Sequence, residues 1–237
     1  MRSLYQNTLN EMVQCDGVGL HSGKNCKVRL LPGQENSGIL FKRTDIAEDN
    51  IIPADFKYIS EIHSKMDLDE LDMFENEFVL ARESGNTIFV AGNGGSAATA
   101  TTMANDIGFD IIKKTGTEKP FKVFALTDNT SVITAISNDV GYENIFINQL
   151  KIHYRKGDKL IVISASGNSE NIVKAAKWVQ SQGGKVLGML GFDGGILREI
   201  CDISVLVPSV SGEYGPVEDM HLMINHLLAH WFQNKLR

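Results

Sequence analysis

The sequence predicts an α/β fold in which helices flank a five-stranded parallel sheet, preceded by a small β-rich N-terminal segment. Five short runs are rich in Val, Ile, Leu or Phe without alternating polar residues, which is typical of strands buried on both faces. Stretches with apolar residues at helical spacing separate these runs, and such alternation indicates a parallel sheet covered by helices. The predicted strands are 87–91, 122–126, 159–164, 185–190 and 203–207.

Three segments carry the clearest helical spacing, with apolar residues at i, i+3 and i+4. They are 97–109, 169–182 and 217–234. The first part of the chain differs, because short apolar runs at 26–31 and 38–41 are bounded by Gly, Pro, Asn and Ser, as in small β structures. We therefore predict two domains, a β-rich segment over residues 1–56 and an α/β domain over residues 57–237.

Composition excludes several classes of protein. The 237 residues are 43% hydrophobic with a formal net charge of -6, which suits a globular protein and disfavours nucleic acid as a partner. No apolar run reaches the roughly 18 residues of a membrane helix, and the N-terminus lacks the apolar core of a signal peptide. Cys15, Cys26 and Cys201 lie far apart without a CxxC pair, so we expect a cytoplasmic protein without a disulfide framework.

A glycine-rich turn follows the first predicted strand and opens a helix. It runs from Gly92 through Asn93, Gly94 and Gly95 to Ser96. Glycines let the backbone approach an anion, and the helix start supplies free N–H groups. The turn also fits the dinucleotide fingerprint, which requires an acidic residue about 20 positions later at the end of the second strand. Here the second predicted strand ends only near Asp128, which is 36 residues beyond Gly92. We therefore favour phosphate over a dinucleotide at this turn.

A serine-rich turn follows the third predicted strand and also leads into a helix. Ser164, Ser166 and Ser169 supply hydroxyl groups beside free backbone N–H groups, and Asn168 lies among them. The alternative is that Ser169 only caps the helix, which would account for one serine but not for three. Since ligands of parallel sheets bind beyond the carboxyl ends of the strands, both turns are predicted to hold one phosphate group.

Four motifs in order resemble the sugar isomerase (SIS) family, and are most similar to its sedoheptulose-7-phosphate (phosphoheptose) isomerases. They are GNGGSA after the first strand, SASGNS after the third, GFDGG after the fourth and VEDMHLMINH in the last helix. The resemblance implies a flavodoxin-like sheet in a homotetramer, with active sites between subunits. It implies isomerisation of a ketose phosphate to an aldose phosphate through an enediol, for the heptose of surface lipopolysaccharide.

The resemblance also implies roles for individual residues. It assigns phosphate binding to Ser96, Ser164, Ser166 and Ser169, and places Asn93 and Asp139 in the sugar pocket. Gly94, Asn168 and Glu218 complete the predicted substrate site.

The proton-transfer pair of the family falls on Asp106 and His226. Some members hold zinc with a His, Glu, Gln and His set, which becomes Thr102, Asp106, Glu218 and His226 in this chain. Only one imidazole remains in this set, which weakens zinc affinity, so zinc is allowed but no bound metal is predicted. His221, five residues before His226, is expected to be structural.

Residues 7–45 resemble the start of the UDP-3-O-acyl-N-acetylglucosamine deacetylase of lipid A synthesis, through GVGLHSGK and GILFKRTD. The resemblance ends before the part of that family that carries its zinc ligands and general base, and His21 alone is no zinc site. Deacetylase activity is therefore not expected.

Two other functions remain open from the sequence. The changes at Thr102 and Glu218 would suit a non-catalytic SIS module that binds a sugar phosphate or a partner protein. The second possibility is a nucleotide-dependent enzyme, and such an enzyme would be expected to retain NAD.

Overall fold

The computed structural model describes the backbone of residues 51–237 and the side chains of residues 56–237. The strands are β1 (Thr87–Gly92), β2 (Lys122–Ala125), β3 (Lys159–Ser164), β4 (Lys185–Gly191) and β5 (Ile203–Val207). They form one sheet in the order β2-β1-β3-β4-β5 with all neighbours parallel. The predicted flavodoxin-like parallel sheet is confirmed. The first 50 residues of the predicted β-rich segment lie outside the described residues.

Nine α-helices connect and flank the strands in the part of the chain that the structure describes. They are α1 (Ile51–Ser64), α2 (Leu68–Ser84), α3 (Gly95–Met103), α4 (Ile111–Thr115), α5 (Thr130–Val140), α6 (Ile145–His153), α7 (Glu170–Ser181), α8 (Gly195–Ile200) and α9 (Tyr214–Lys235). The predicted boundary between residues 56 and 57 falls inside α1. None of the helices in the described region is long and apolar enough to cross a membrane.

The segment predicted as one helix over 97–109 is only partly α-helical. After α3 the chain continues as a π-helical segment, Ala104–Asp110, before α4. Isolated π-helical turns widen a helix locally and often occur at functional sites. This one carries Asp106.

Two apolar layers cover the sheet. Helices α1, α2, α3 and α9 pack on one face, where the rings of Phe74, Phe78 and Phe232 are almost fully buried. Helices α6, α7 and α8 pack on the other face, around Phe146 and Leu197. The sheet is therefore the middle of three layers, and only its two ends are open to a ligand.

The edge strand β2 departs from the prediction that all five strands are buried. Lys122 and Phe124 on it are exposed, whereas the other edge strand, β5, is mostly buried. The prediction was wrong for this strand because apolar residues on an edge strand resemble those of a central one.

A partly buried charge cluster closes the amino end of the sheet, opposite the predicted site. The carboxylate of Glu77 on α2 contacts the ammonium groups of Lys159 and Lys185, at the starts of β3 and β4. Burial alone would raise the pKa of Glu77, but hydrogen bonds and charge attraction from the two lysines outweigh this effect and hold the pKa below its usual value. The cluster anchors α2 beneath the sheet and leaves the carboxyl end for ligands.

Candidate functional site

The turn after β1 is compact and directs Ser96 inward. Gly94 caps α3 with a positive φ of 55°, a conformation that glycine adopts readily. A Cβ atom on Gly92 would overlap the backbone of Ser96. The turn therefore needs glycine, and it leaves Ser96 only 5% exposed.

The turn after β3 presents its serines beside the start of α7. The Oγ of Ser164 accepts a hydrogen bond from the N–H of Gly167, at 3.0 Å, which fixes the turn. Ser169 occupies the N-cap position of α7, yet its side chain makes no capping hydrogen bond. The alternative in which Ser169 acts only as a cap is therefore not supported.

One cavity of about 100 Å³ lies between the two turns. It is found where the sheet order reverses between β1 and β3, the position at which sheets of this order bind ligands. Six of the residues predicted for the site line this cavity. They are Asn93, Ser96, Ser164, Ser166, Ser169 and Glu218, together with Ile163, Ala165 and Tyr214.

A pair of amides links the two turns. The Nδ2 group of Asn93 donates to Oδ1 of Asn171, and Nδ2 of Asn171 donates back to Oδ1 of Asn93, each at 2.9 Å. Asn171 is almost fully buried at the start of α7, and the Tyr142 hydroxyl donates to the same Asn93 oxygen. Asn93 is thus held by three contacts that also fix the spacing of the two turns.

The turn after β4 braces the serine-rich turn from the other side. A Cβ atom on Gly167 would overlap the carbonyl of Gly194, so the two turns approach as closely as only glycine allows. The N–H of Ile196 donates to Oδ1 of Asn168, and the N–H of Leu197 donates to the carbonyl of Gly167. Asn168 therefore ties the turns together and does not line the cavity.

Glu218, in the first turns of α9, brings a carboxylate to the cavity wall. A Cβ atom on Gly95 would overlap this carboxylate, so Glu218 lies directly against the start of α3. Burial raises the pKa of Glu218, and the neighbouring charge of Asp219 raises it further. The cavity wall therefore carries a carboxyl group whose charge is disfavoured.

The predicted catalytic pair forms a second cluster. Oδ2 of Asp106 lies 3.5 Å from Nε2 of His226 and accepts a hydrogen bond of 2.8 Å from Nδ2 of Asn225. Oδ1 of Asp106 accepts from Nδ2 of Asn105 at 3.0 Å. The π-helical segment thus places Asp106 against α9. Glu218 and His226 are separated by about 12 Å along this helix, at 1.5 Å per residue.

Three of the predicted site residues lie elsewhere. Asp139 is exposed in the last turn of α5, where its carboxylate accepts from Asn138, and it does not line the cavity. Thr102 donates to the carbonyl of Ala98 on its own helix. Gly94 shapes its turn through its backbone alone.

The candidate metal set does not assemble. Glu218 lies against Gly95 while Asp106 contacts His226. Residues 56–237 contain no group of three or more His, Cys, Asp or Glu side chains placed to hold a metal ion. These residues therefore do not fit zinc, and no reaction step below is derived through a metal.

Three residues at the site were not singled out by the sequence. Asn171 lies two residues beyond the serine-rich motif, and its polar side chain in the first turn of a helix was a usable signal. Tyr214 follows the last strand in a glycine-rich segment, so its position at the same rim could have been inferred. Nothing in the sequence indicated Asn225, whose contact depends on the π-helical segment.

The sheet order and the serine-lined cavity at its switch point define a doubly wound α/β protein with a site for a small ligand. The SIS domain family model matches residues 55–191, more than half of the sequence, and the chain belongs to this family.

Individual relatives agree with the family. Phosphoheptose isomerase of Rhodospirillum rubrum is 38% identical over 146 residues, which cover 62% of this chain and 75% of that protein. Phosphoheptose isomerase of Clostridium acetobutylicum is 37% identical over 183 residues, covering 77% and 86% respectively. The solved structure of phosphoheptose isomerase from Neisseria gonorrhoeae superposes with a TM-score of 0.69 at 27% identity, covering 79% of this chain and 100% of that one.

A second family model matches the N-terminal part. The model of UDP-3-O-acyl N-acetylglycosamine deacetylase matches residues 6–88, which supports the resemblance seen in the sequence. This match overlaps the start of the SIS match and ends within β1, of which it covers only Thr87 and Ile88.

Proposed function

We propose that this protein is a phosphosugar isomerase that converts sedoheptulose 7-phosphate to an aldoheptose 7-phosphate in the cytoplasm, for heptose in surface polysaccharide. The observation that carries the proposal is the single cavity shared by Ser96 and the Ser164–Ser169 turn, in a chain that matches phosphoheptose isomerases over most of their length. Hydroxyl groups, backbone N–H groups and two helix starts meet there, and phosphate is the ligand that such a set binds best.

The separation of the two clusters fits this substrate. The phosphate of a 7-phosphate lies at one end of the carbon chain and the reacting carbons 1 and 2 lie at the other. A site with a phosphate cavity at one place and a proton-transfer pair about two helical turns along α9 suits such a molecule. A sugar phosphate that carries its phosphate group next to the carbonyl carbon would not need two separate clusters.

Asp106 and His226 supply the proton transfers. One of the two groups removes a proton from carbon 1 of the open-chain ketose, which gives an enediol. A proton is then delivered to carbon 2, while the proton of the carbon 1 hydroxyl passes to the oxygen on carbon 2, and the aldose results. The hydrogen bonds from Asn225 and Asn105 hold the Asp106 carboxylate in place for this exchange.

A homotetramer with sites between subunits is part of the proposal. A surface groove of about 480 Å³ on α9 contains His226 among Asp219, Leu222, Met223, Leu227 and His230. Leu227 is 50% exposed there, and a proton-transfer histidine needs shelter from bulk water. Packing of a second subunit over this groove would provide that shelter and could bring Asp139 of the partner subunit to the substrate.

The test is incubation of the purified protein with sedoheptulose 7-phosphate in D₂O, followed by NMR of the product. We expect an aldose 7-phosphate that carries deuterium at carbon 2. Asp106→Asn and His226→Ala should each lower kcat by about 100-fold or more. The matched controls are Asp72→Asn and His63→Ala, which change the same residue types at exposed positions away from the pair.

The alternative function is a non-catalytic module that binds a sugar phosphate. Thr102 in place of a histidine ligand favours it, because its hydroxyl is bonded within its own helix. Saturable binding of sedoheptulose 7-phosphate without any product would support this alternative and exclude the isomerase.

A further inference from the structure

The serine-lined cavity is too small for a whole sugar phosphate. Its volume is about 100 Å³, whereas ligand pockets usually measure about 300–1,000 Å³. The cavity therefore has room for the phosphate group and the carbon next to it. The rest of the sugar must pass over the rim of the cavity, and the side chains at that rim determine which sugar fits.

Tyr214 forms part of this rim. It is the first residue of α9 and lines the cavity together with the serines of both turns. Its side chain has no role in the core, since the residue is 50% exposed. A half-exposed aromatic ring beside a polar cavity offers an apolar face to the C–H groups of a sugar and a hydroxyl group to its oxygens.

A strained neighbour holds the Tyr214 ring. Phe192, in the turn after β4, is the only non-glycine residue with positive φ among residues 51–237, at 54°. Its ring is 8% exposed and meets the Tyr214 ring edge to face, with centroids 5.2 Å apart and planes at 78°. Such a backbone conformation is unfavourable in a bulky residue and persists where the surroundings enforce it.

A glycine at position 192 would adopt this positive φ without strain, and the same turn already has glycine at 191, 194 and 195. A phenylalanine with strained backbone keeps one contact that glycine cannot make, the edge-to-face contact with Tyr214. The turn also contacts the serine-rich turn through Gly194 and Gly167. Phe192 therefore connects the phosphate cavity to the aromatic side chain at its rim.

We propose that Tyr214 is a specificity-determining residue that packs against the sugar beyond its phosphate, and that Phe192 is the positioning residue that fixes the Tyr214 ring. The proposal rests on the proposed function, because it takes a sugar phosphate as the ligand of the serine-lined cavity. It adds the part of the site that recognises the sugar.

The experiment compares two ligands on the full-length protein. Sedoheptulose 7-phosphate is the substrate, and inorganic phosphate, which contacts only the cavity, is a competitive inhibitor. Tyr214→Ala should raise KM for the sugar phosphate about tenfold, while the inhibition constant of phosphate changes less than about twofold. Tyr214→Phe should keep most of the affinity, since it retains the ring. Ile152→Ala, an exposed apolar residue on α6 near the amino ends of the strands, is the control.

Phe192→Gly tests the positioning role. Phe192→Gly should raise KM for the sugar phosphate, as Tyr214→Ala does. The KM of the double variant should rise less than the product of the two single effects predicts. Fully multiplicative effects of the two substitutions would overturn the positioning role.

Two results would overturn the role of Tyr214. One is an unchanged KM in Tyr214→Ala, and the other is an equal loss of sugar phosphate and inorganic phosphate binding. If the unaltered protein shows no turnover, the isomerase proposal fails, but calorimetric affinities for the same two ligands still decide the role of Tyr214.

Discussion

Glu218 shows how a single residue can oppose the ligand that its neighbours attract. Its carboxyl group lines the cavity that the serines and helix starts make favourable for phosphate. Burial, followed by the charge of Asp219, raises its pKa, which reduces this repulsion without removing it. A protonated Glu218 can donate a hydrogen bond to a phosphate oxygen, whereas an ionised one cannot.

We predict that Glu218→Gln strengthens the binding of inorganic phosphate by about fivefold at pH 8, because an amide of the same shape carries no charge. The difference between the two proteins should shrink as the pH falls and Glu218 becomes protonated. Calorimetric titration with phosphate at several pH values measures this. Weaker phosphate binding in the variant at every pH would show that the carboxyl group does not oppose the anion.

His221 is a second residue whose surroundings predict a measurable pH dependence. It is fully buried on α9, and burial lowers its pKa to about 4. The carbonyl of Leu190 opposes this only in part, since neither ring nitrogen makes a hydrogen bond of normal geometry to a described residue. The structural role expected for His221 is consistent with this position.

The stability of the protein should fall as His221 becomes protonated in the unfolded state. The unfolded state takes up this proton below pH about 6.5 and the folded state only below about 4, so the stabilisation is complete above 6.5 and is lost as the pH falls from 6.5 to 4. Between pH 7 and pH 5 we expect a loss of about 2 kcal/mol in the free energy of unfolding.

Urea unfolding of the unaltered protein and of His221→Gln at both pH values measures this contribution. The variant should lose less stability between pH 7 and pH 5, because it has no imidazole to protonate. Identical losses in the two proteins would contradict the account of His221.

At the scale of elements, the amide pair of Asn93 and Asn171 holds the turns after β1 and β3 at a fixed spacing. We predict that Asn171→Asp weakens phosphate binding about tenfold, because a carboxylate cannot donate to Asn93 and adds negative charge beside the cavity. The melting temperature should fall by a few degrees. Asn234→Asp, which makes the same change at the exposed end of α9, is the control for both measurements.

Thermal unfolding and phosphate titration give the two readings. A variant that melts lower but binds phosphate as before would show that the pair stabilises the fold without shaping the cavity.

The elements of the sheet were predictable because their signals are local. The strands β3 and β5 begin and end where the apolar runs do, at Lys159–Ser164 and Ile203–Val207. The serine and glycine turns were predictable for the same reason, since each follows its strand directly. The order of the strands came from the family resemblance.

Other features depend on contacts between distant parts of the chain, and no local pattern reveals them. The partners in the amide pair are 78 residues apart, and the partners Asp106 and Asn225 are 119 residues apart. The π-helical segment that aims Asp106 at α9 was expected as ordinary helix. The separation of the serine cavity from the Asp106–His226 pair therefore became visible only in the structure.

At the scale of the whole molecule, the apolar groove around His226 is the surface that the proposed tetramer would bury. We predict that Leu227→Asp converts the tetramer to smaller species and lowers kcat at least tenfold, because a buried charge without a partner would oppose packing over the groove. Light scattering coupled to size-exclusion chromatography measures the mass. Ile152→Asp, on α6, is the control.

A Leu227→Asp protein that stays tetrameric with unchanged turnover would place the subunit contacts elsewhere. A monomeric variant with full activity would show that one subunit contains a complete site.

The central claim is that the turns after β1 and β3 hold one phosphate group together. The most direct measurement is the affinity for sedoheptulose 7-phosphate of Ser96→Ala, Ser166→Ala and the double variant, determined by calorimetry. We predict that each single substitution weakens binding by about tenfold to a hundredfold, as expected for loss of a hydrogen bond to a charged group, and that the double variant is weaker than either. Unchanged affinity in Ser96→Ala, with a strong loss in Ser166→Ala, would contradict a shared phosphate site.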